Sequence, residues 1–379
     1  MTTEPTPILD DPAQMDAIDK REMLRLVREL PEQCETALGI ARGFRADPLP
    51  EKPNVVFMTG VGEAGLACEM AAAVLAEDSD AAIAWSRGGR IPRYVGEQSL
   101  VFLVDYAGAS PLLLRNFREA RARGAEVICV SSGGKLLETA SREGVRVVKI
   151  PPGQPTRTAL GYLIVPLVAV IEKLGLAHGS TEKLSHAVKL MKNVRETLRR
   201  EVPCERNFAK RTAETLANQV PVIYGCPGYR RLVAERWSNQ LGANAKQIAA
   251  TGLLPDAAEG PIAAWELSDK QGAEFAAVLL ADPSDKGETA EIAAAVENLL
   301  RKHPVVKVTL QGATTAEKLF HGVYLGDYVS CYLAMLYETD PSRSDNVAAI
   351  EMKLSAARFA AEQAAAPPPP ATSAAEPAE

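Results

Sequence analysis

The chain has 379 residues, of which 47% are hydrophobic and 24% are charged, and its formal net charge is −6. This composition is that of a globular protein of two or three domains, and the absence of a Lys/Arg block argues against a nucleic-acid partner. The sequence has no apolar run of transmembrane length, and its polar, acidic N-terminus does not resemble a signal or transit peptide. We therefore expect a cytoplasmic protein without a membrane partner.

The cysteines and histidines do not form a metal-binding pattern. None of the six cysteines has a C-x-x-C spacing, and the four histidines are scattered along the chain. Structural zinc sites need clustered Cys and His ligands, and reduced cysteines are usual in a cytoplasm. We predict free thiols, no metal site and no cofactor.

The first half of the chain predicts a helical segment followed by an α/β domain. Residues 10–45 carry apolar residues at helical spacing, interrupted once at Pro31, and predict an N-terminal helical segment over 1–50. Short apolar runs then alternate with amphipathic helices. The predicted strands are 54–60, 81–85, 99–106, 125–134 and 145–153, before a long apolar helix at 158–176. This alternation predicts a parallel sheet covered on both faces, in a first domain over 51–178.

The second half repeats this outline. Residues 179–218 are charged and helical, and we interpret them as a bridge. Strand, glycine turn and helix restart at 221–242, and the alternation continues at 273–282, 287–303 and 304–312. We predict a second domain over 219–356, with C-terminal helices at 325–340 and 347–363. The Ala/Pro-rich residues 357–379 are predicted to be a disordered tail, because they carry too little apolar surface to offset ordering.

Two glycine-rich turns follow predicted strands of the first domain. TGVGEAG (59–65) places Gly60 and Gly62 between a strand and a helix, as in a phosphate loop, where backbone must approach the ligand closely. SSGGK (131–135) places Ser131 and Ser132 in a similar turn. Each turn is equally compatible with a structural connection that binds nothing.

The order of many segments resembles the bifunctional phosphoglucose/phosphomannose isomerases, across roughly residues 50–355. The matching segments are VDYAGAS (104–110), SSGGKL (131–136), PPGQPTRTALGYL (151–163), RWSNQLGANAK (236–246), LPD (254–256), IAAW (262–265), LGDYVSCYLA (325–334) and MKL (352–354). The resemblance implies two tandem doubly wound, flavodoxin-like α/β domains of the sugar isomerase (SIS) type. It also implies a site at their junction for a sugar or sugar phosphate, and a homodimer.

The positions that hold phosphate in the family are altered. Its first glycine loop reads G-x-G-G-S, and here Glu63 and Ala64 occupy the last two positions. Its second loop reads S-Y-S-G-N-T, and here the equivalents of its two Ser and its Thr are Asp105, Ala107 and Ser110, so that only Ser110 keeps a hydroxyl. The next residue is a proline without an N–H. A single bare carboxylate about 5 Å from a phosphate dianion would repel it by about 6–7 kcal/mol at an effective dielectric constant of about 20, and two acidic residues occupy this loop region.

The catalytic positions are altered too. The family's general base is the Glu of an E-N-A-K segment, here Ala243, and its ring-opening His corresponds to Glu259. Its transition-state Arg matches Arg157, which is equally compatible with a structural role, and its C-terminal Lys matches Lys353. We expect a carbohydrate-binding SIS homologue with weak or no isomerase activity. The alternative is an active isomerase that uses Glu259 as base on a non-standard sugar.

The predicted site residues fall into two groups. The predicted catalytic residues are Arg157, Lys353 and Glu259. The predicted substrate-binding residues are Gly60, Gly62, Ser110, Ser131 and Ser132.

Overall fold

The computed structural model describes residues 7–49, 51–272 and 274–365, with side chains described up to residue 355. Residues up to Ser342 form one compact unit that contains two separate parallel sheets, and a second unit begins at Arg343. The two sheets confirm the predicted tandem α/β architecture. The domain boundaries at 50/51, 178/179 and 218/219 stay predictions.

The N-terminal segment forms three helices: Pro12–Ile18 (α1), Met23–Arg28 (α2) and Leu30–Gly43 (α3). The predicted interruption at Pro31 is confirmed, because α2 ends at Arg28 and α3 begins at Leu30, so that this proline lies in the first turn of α3, where its missing N–H costs nothing. A second break, which was not predicted, separates α1 from α2. There the Asp19 carboxylate accepts hydrogen bonds from the first two backbone N–H groups of α2, at 2.7 and 2.8 Å.

The first sheet has five parallel strands in the order β2-β1-β3-β4-β5. Its strands are Val55–Gly60 (β1), Ala82–Arg87 (β2), Ser99–Val104 (β3), Glu126–Ser131 (β4) and Arg146–Lys149 (β5). The intervening helices are Glu63–Leu75 (α4), Pro111–Ala122 (α5) and Gly134–Arg142 (α6). The central strands are buried along nearly their whole length, since helices cover both faces, and this explains their continuous apolar sequences.

Three helices lead from the first sheet to the second: Leu160–Lys173 (α7), Ser180–Leu198 (α8) and Phe208–Leu216 (α9). Helix α7 packs against α3 and α4. The predicted bridge 179–218 is an integral part of the core, because α8 packs against α3 and α7. Its buried side chains Leu184, Val188 and Met191 belong to the same cluster as residues from the inner faces of both sheets.

The second sheet has four parallel strands in the order β7-β6-β8-β9. Its elements are Val220–Gly225 (β6), Tyr229–Gln240 (α10), Ala250–Leu253 (β7), Phe275–Ala281 (β8), Glu288–Leu299 (α11) and Val305–Thr309 (β9). This order repeats that of the first four strands of the first sheet, which confirms the internal repeat. Strand β7 was not predicted, because ATGL has no apolar run and extends only through its pairing with β6.

Two helices complete the described chain: Thr315–Leu336 (α12) and Asp345–Ala365 (α13). Helix α12 is apolar nearly all round and is buried within this one chain, against α8, α9 and α10. It therefore offers no argument for a dimer. Helix α13 confirms the helix predicted at 347–363, the disordered tail over 357–379 stays a prediction, and 366–379 lie outside the described residues.

None of the helices in the described ranges combines the length and hydropathy needed to cross a bilayer. The same described residues contain no group of three or more His, Cys, Asp or Glu side chains arranged to hold a metal ion. All six cysteines are buried and unpaired by disulfides.

Candidate functional site

The connections after β1 and β3 lie where the strand order of the first sheet reverses, which is the usual ligand crevice of an open α/β sheet. In the turn after β1, a Cβ atom on Gly60 would lie 2.6 Å from the backbone carbon of Ala64, so only glycine lets α4 start this close to the strand. Gly62 has φ +57°, a conformation that also favours glycine. These two predicted binding residues are thus required by the turn itself.

The loop after β3 is closed by its own side chains. The backbone N–H of Ser110 donates to Asp105 Oδ2 at 2.7 Å. The Ser110 hydroxyl oxygen accepts from the N–H of Leu113 at 3.4 Å and caps α5, whose first residue is Pro111. The predicted substrate-binding residue Ser110 therefore serves as a helix cap. Its backbone N–H, which an anion would use, already donates to the Asp105 carboxylate.

The hydroxyl groups after β4 are directed to the backbone. Ser131 Oγ donates to Gly133 O at 2.9 Å, and Ser132 Oγ donates to Tyr106 O at 2.6 Å. The loops after β3 and β4 also touch, because a Cβ on Gly108 would lie 1.8 Å from Gly133 O. The structure brings Ser131 and Ser132 to the crevice side of the sheet, but their hydrogens are already bonded within the protein. Their role in binding a ligand stays a prediction.

Arg236, on α10, is the centre of a buried charged cluster. Its guanidinium donates to both oxygens of Asp327 on α12, at 3.0 and 2.8 Å, and to Glu63 on α4 at 2.5 Å. A further bond of 2.6 Å reaches the carbonyl of Arg157. Burial by itself lowers the pKa of Arg236, but Asp327 and Glu63 outweigh that effect and hold the pKa above its ordinary value.

This cluster corrects the electrostatic expectation for Glu63. The sequence comparison treated its carboxylate as a bare charge facing the ligand, whereas the structure shows it neutralised by Arg236, a residue 173 positions away. Arg236 and Asp327 were not selected from the sequence. The available signal was the carboxylate of Asp327 within the largely apolar residues 319–336 of α12, since such a group requires a buried partner.

Arg157 lies next to this cluster, in a single 3-10 turn before α7. Its Nε donates to Asn244 Oδ1 at 3.1 Å, and its Nη2 donates to Pro341 O at 2.9 Å. Asn244 in turn donates to Ser330 Oγ at 2.9 Å. Burial lowers the pKa of Arg157, although a guanidinium stays charged at neutral pH. The predicted transition-state arginine is thus held in place from two sides.

The segment after α10 has an unusual geometry that the sequence did not reveal. Residues Leu241–Ala245 form one π-helical turn, and Lys246 follows with a φ of +59°. Lys246 Nζ donates to Asn244 O at 2.9 Å and to Asp340 O at 2.7 Å. Single π turns are frequent at functional sites, and positive φ values at non-glycine residues mark segments that the surrounding structure holds in place. Ala243 is half-buried in this turn.

The other two predicted catalytic residues are solvent-exposed. Glu259 ends a 3-10 turn, Asp256–Glu259, and among the described residues no hydrogen bond joins it to Arg157. Lys353 is exposed on α13, in the second unit. The structure therefore brings Arg157, Asn244 and Arg236 together, without placing Glu259 in that cluster.

A second set of ion pairs connects the two sheets. Arg87, at the end of β2, binds Glu69 on α4 and Glu235 on α10. Arg231, also on α10, pairs with the same two carboxylates, so positive and negative groups alternate around a ring. This ring spans elements far apart in the sequence and carries no local signature.

Comparisons of the sequence with known proteins point to one family. Residues 205–354 match the bacterial phospho-glucose isomerase C-terminal SIS domain. The bifunctional phosphoglucose/phosphomannose isomerase of Caldicellulosiruptor bescii is 31% identical over 335 residues, 88% of this chain and 99% of that protein. The Aquifex aeolicus enzyme of the same name is 29% identical over 66% of this chain and 74% of that protein.

A solved structure supports the fold. A glucose-6-phosphate isomerase like protein from Thermus thermophilus superposes with a TM-score of 0.58, covering 89% of this chain and 99% of that chain. The sequence identity in this superposition is 24%, so the likeness is evidence of a common fold.

Proposed function

We propose that this chain, which belongs to the bifunctional phosphoglucose/phosphomannose isomerase family, binds a carbohydrate derivative without carrying out the family's aldose–ketose isomerisation. The observation that carries this proposal is the π turn at 241–245. At the position where the resemblance assigns the general base, the turn presents the methyl group of Ala243.

Isomerisation between an aldose and a ketose moves a proton between C1 and C2, so it needs a basic group within hydrogen-bond reach of that proton. A methyl group cannot accept it. The neighbouring Asn244 amide is not basic, and the Lys246 ammonium is bonded to two carbonyl oxygens. Losing a positioned general base costs about 100- to 10,000-fold in rate.

Binding is better supported than turnover. Arg157 is fixed by Asn244 and Pro341 through Nε and Nη2, and within the described residues its Nη1 has no hydrogen bond. A preoriented guanidinium with donors to spare suits the hydroxyl oxygens of a sugar. Such a protein would act as a binding or regulatory member of its family.

The test is a coupled spectrophotometric assay with glucose 6-phosphate and mannose 6-phosphate, run beside the Caldicellulosiruptor bescii enzyme. We expect a kcat/KM at least about 100-fold below that of the relative, in line with the missing base. A kcat/KM equal to that of the relative would contradict the proposal.

The same assay addresses the alternative base. If turnover is present and Glu259→Gln abolishes it, the chain is an isomerase with a relocated base. Asp256→Asn is the matched control, because Asp256 is an exposed carboxylate in the same 3-10 turn. Loss of turnover in both variants would point to a change in the turn rather than to a base at Glu259.

A further inference from the structure

We infer that the crevice at the ends of β1 and β3 is occupied by this chain's own carboxylates, Glu63 and Asp105, and that its ligand is a sugar without a phosphate group. The inference rests on the proposed function in one respect, namely that the ligand is a carbohydrate derivative. It adds the class of sugar and assigns two residues that determine it.

Both helices that start at this crevice present positive ends. Helices α4 and α5 have 13 and 12 residues, and each begins directly after a strand of the switch point. Unoccupied helix N-termini in such a crevice attract anions, through the free N–H groups and the helix dipole. Here each N-terminus already has a carboxylate beside it.

Glu63 occupies the first of these positions. It lies in the first turn of α4, accepts from Arg236 at 2.5 Å, and is contacted by Asn239 Nδ2 at 3.5 Å. Arg236 cannot turn towards a ligand, since Asp327 and the carbonyl of Arg157 hold the rest of its guanidinium. A phosphate would have to displace a carboxylate that is tethered beside its partner at an effective concentration of at least about millimolar.

Asp105 occupies the second position. Its Oδ2 takes the Ser110 N–H at 2.7 Å, and Ser110 in turn caps α5. Pro111 supplies no N–H to replace the one that is taken. The nearby Ser131 and Ser132 hydroxyls donate to backbone carbonyls. The crevice therefore offers an anion few free donors.

The same groups suit a neutral polyol. A carboxylate accepts several hydrogen bonds, and sugar hydroxyls are donors, so Glu63 and Asp105 can receive hydroxyl hydrogens without losing their present partners. Glu63 is also already neutralised by Arg236, so the crevice does not need a cationic ligand. Phosphate is thus excluded mainly because Glu63 and Asp105 occupy the position that it would take. The ligand is inferred to be a neutral sugar because these carboxylates can accept hydrogen bonds from its hydroxyl groups.

The experiment measures phosphate binding before and after these positions are vacated. Isothermal titration calorimetry with inorganic phosphate and with glucose 6-phosphate is run on the full chain, on Glu63→Ala and on Asp105→Ala, which frees the Ser110 N–H. The matched control is Glu77→Ala, which removes an equal charge from an exposed position just beyond the other end of α4.

We expect no saturable phosphate binding by the wild type or the control below about 10 mM. Glu63→Ala should gain at least about tenfold in affinity, because Arg236 and the α4 N-terminus then become available to the anion. Circular dichroism establishes that the variants are folded, and if Glu63→Ala does not fold, a gain in phosphate affinity in Asp105→Ala decides. A wild type that binds glucose 6-phosphate below about 1 mM, or folded variants that gain no affinity, would overturn the inference.

Turnover measured on the same samples separates this inference from the proposed function. Tight binding of glucose 6-phosphate without isomerisation refutes the inference and leaves the proposed function standing. Isomerisation of an unphosphorylated hexose without phosphate binding refutes the proposed function and leaves the inference standing.

Discussion

Replacing Arg236 by methionine should destabilise the folded chain by about 3–5 kcal/mol, because the substitution leaves a buried carboxylate without its partner. Asp327 is bound through both oxygens at 3.0 and 2.8 Å, and its side chain is only 6% exposed. Glu63 is 19% exposed and can regain water, so we assign it a small share. Methionine keeps the length and apolar bulk of the side chain, which limits the effect to charge and hydrogen bonding.

The assay is urea unfolding followed by circular dichroism, with the midpoint and the slope compared between variants. Arg231→Met serves as the control, because that arginine pairs with carboxylates from a side chain that is 39% exposed. Partly exposed pairs of this kind contribute about 0–1 kcal/mol. We expect an unchanged slope and a midpoint shift several times larger for Arg236→Met than for Arg231→Met.

A double variant tests the reason for the loss. Adding Asp327→Leu to Arg236→Met removes the stranded charge, so most of the lost stability should return. A cost below about 1 kcal/mol for the single variant would refute the argument that this ion pair is effectively desolvated. A double variant no more stable than the single one would show that lost packing, rather than an unpaired charge, dominates.

Three further predictions concern pH, catalysis and assembly. Burial lowers the pKa of His321 to about 4, so the unfolded chain binds the extra proton below pH 6.5 and stability should fall by about 2 kcal/mol between pH 8 and pH 5. His321→Asn keeps an acceptor for the Gln311 N–H. In urea titrations of this variant, the free energy of unfolding should no longer show the pH dependence that His321 contributes. Ala243→Glu, added to Glu63→Ala and Asp105→Ala, should bring measurable glucose 6-phosphate turnover in the coupled assay, whereas Ala243→Gln should not. Light scattering at micromolar concentration should give the mass of a homodimer, as the resemblance implies, and a monomer mass would contradict this.

The strand and helix pattern could be predicted because its signals are local. Buried parallel strands must be apolar on both faces, so β1, β3 and β4 can be predicted from their continuous apolar sequences. The position of Gly60 in a tight turn could be predicted as well, and the structure shows that the start of α4 leaves no room for a side chain there. Strand β7 could not be predicted from the sequence, because its four residues become extended only by pairing with β6.

The chemistry of the candidate site could be predicted only in part from the sequence. The resemblance to the family predicts that Ala243 stands at the position of the general base and that Ala64 and Ala107 stand at positions of hydroxyl residues. They also placed two acidic residues in the crevice, but could not show their partners. Glu63 is paired with Arg236, which lies on α10, next to the second sheet, and Asp105 is bonded to the Ser110 N–H.

The sequence by itself therefore determined the alternation of strands and helices and the glycine turns, because each depends on side-chain type or on spacing within one segment. Tertiary structure alone decided that Glu63 is paired, that Asp105 closes its own loop and that Arg157 is held by Asn244 and Pro341. Such contacts join atoms distant in the chain, and a carboxylate's behaviour is set by the groups within a few ångströms of it rather than by its neighbours in sequence.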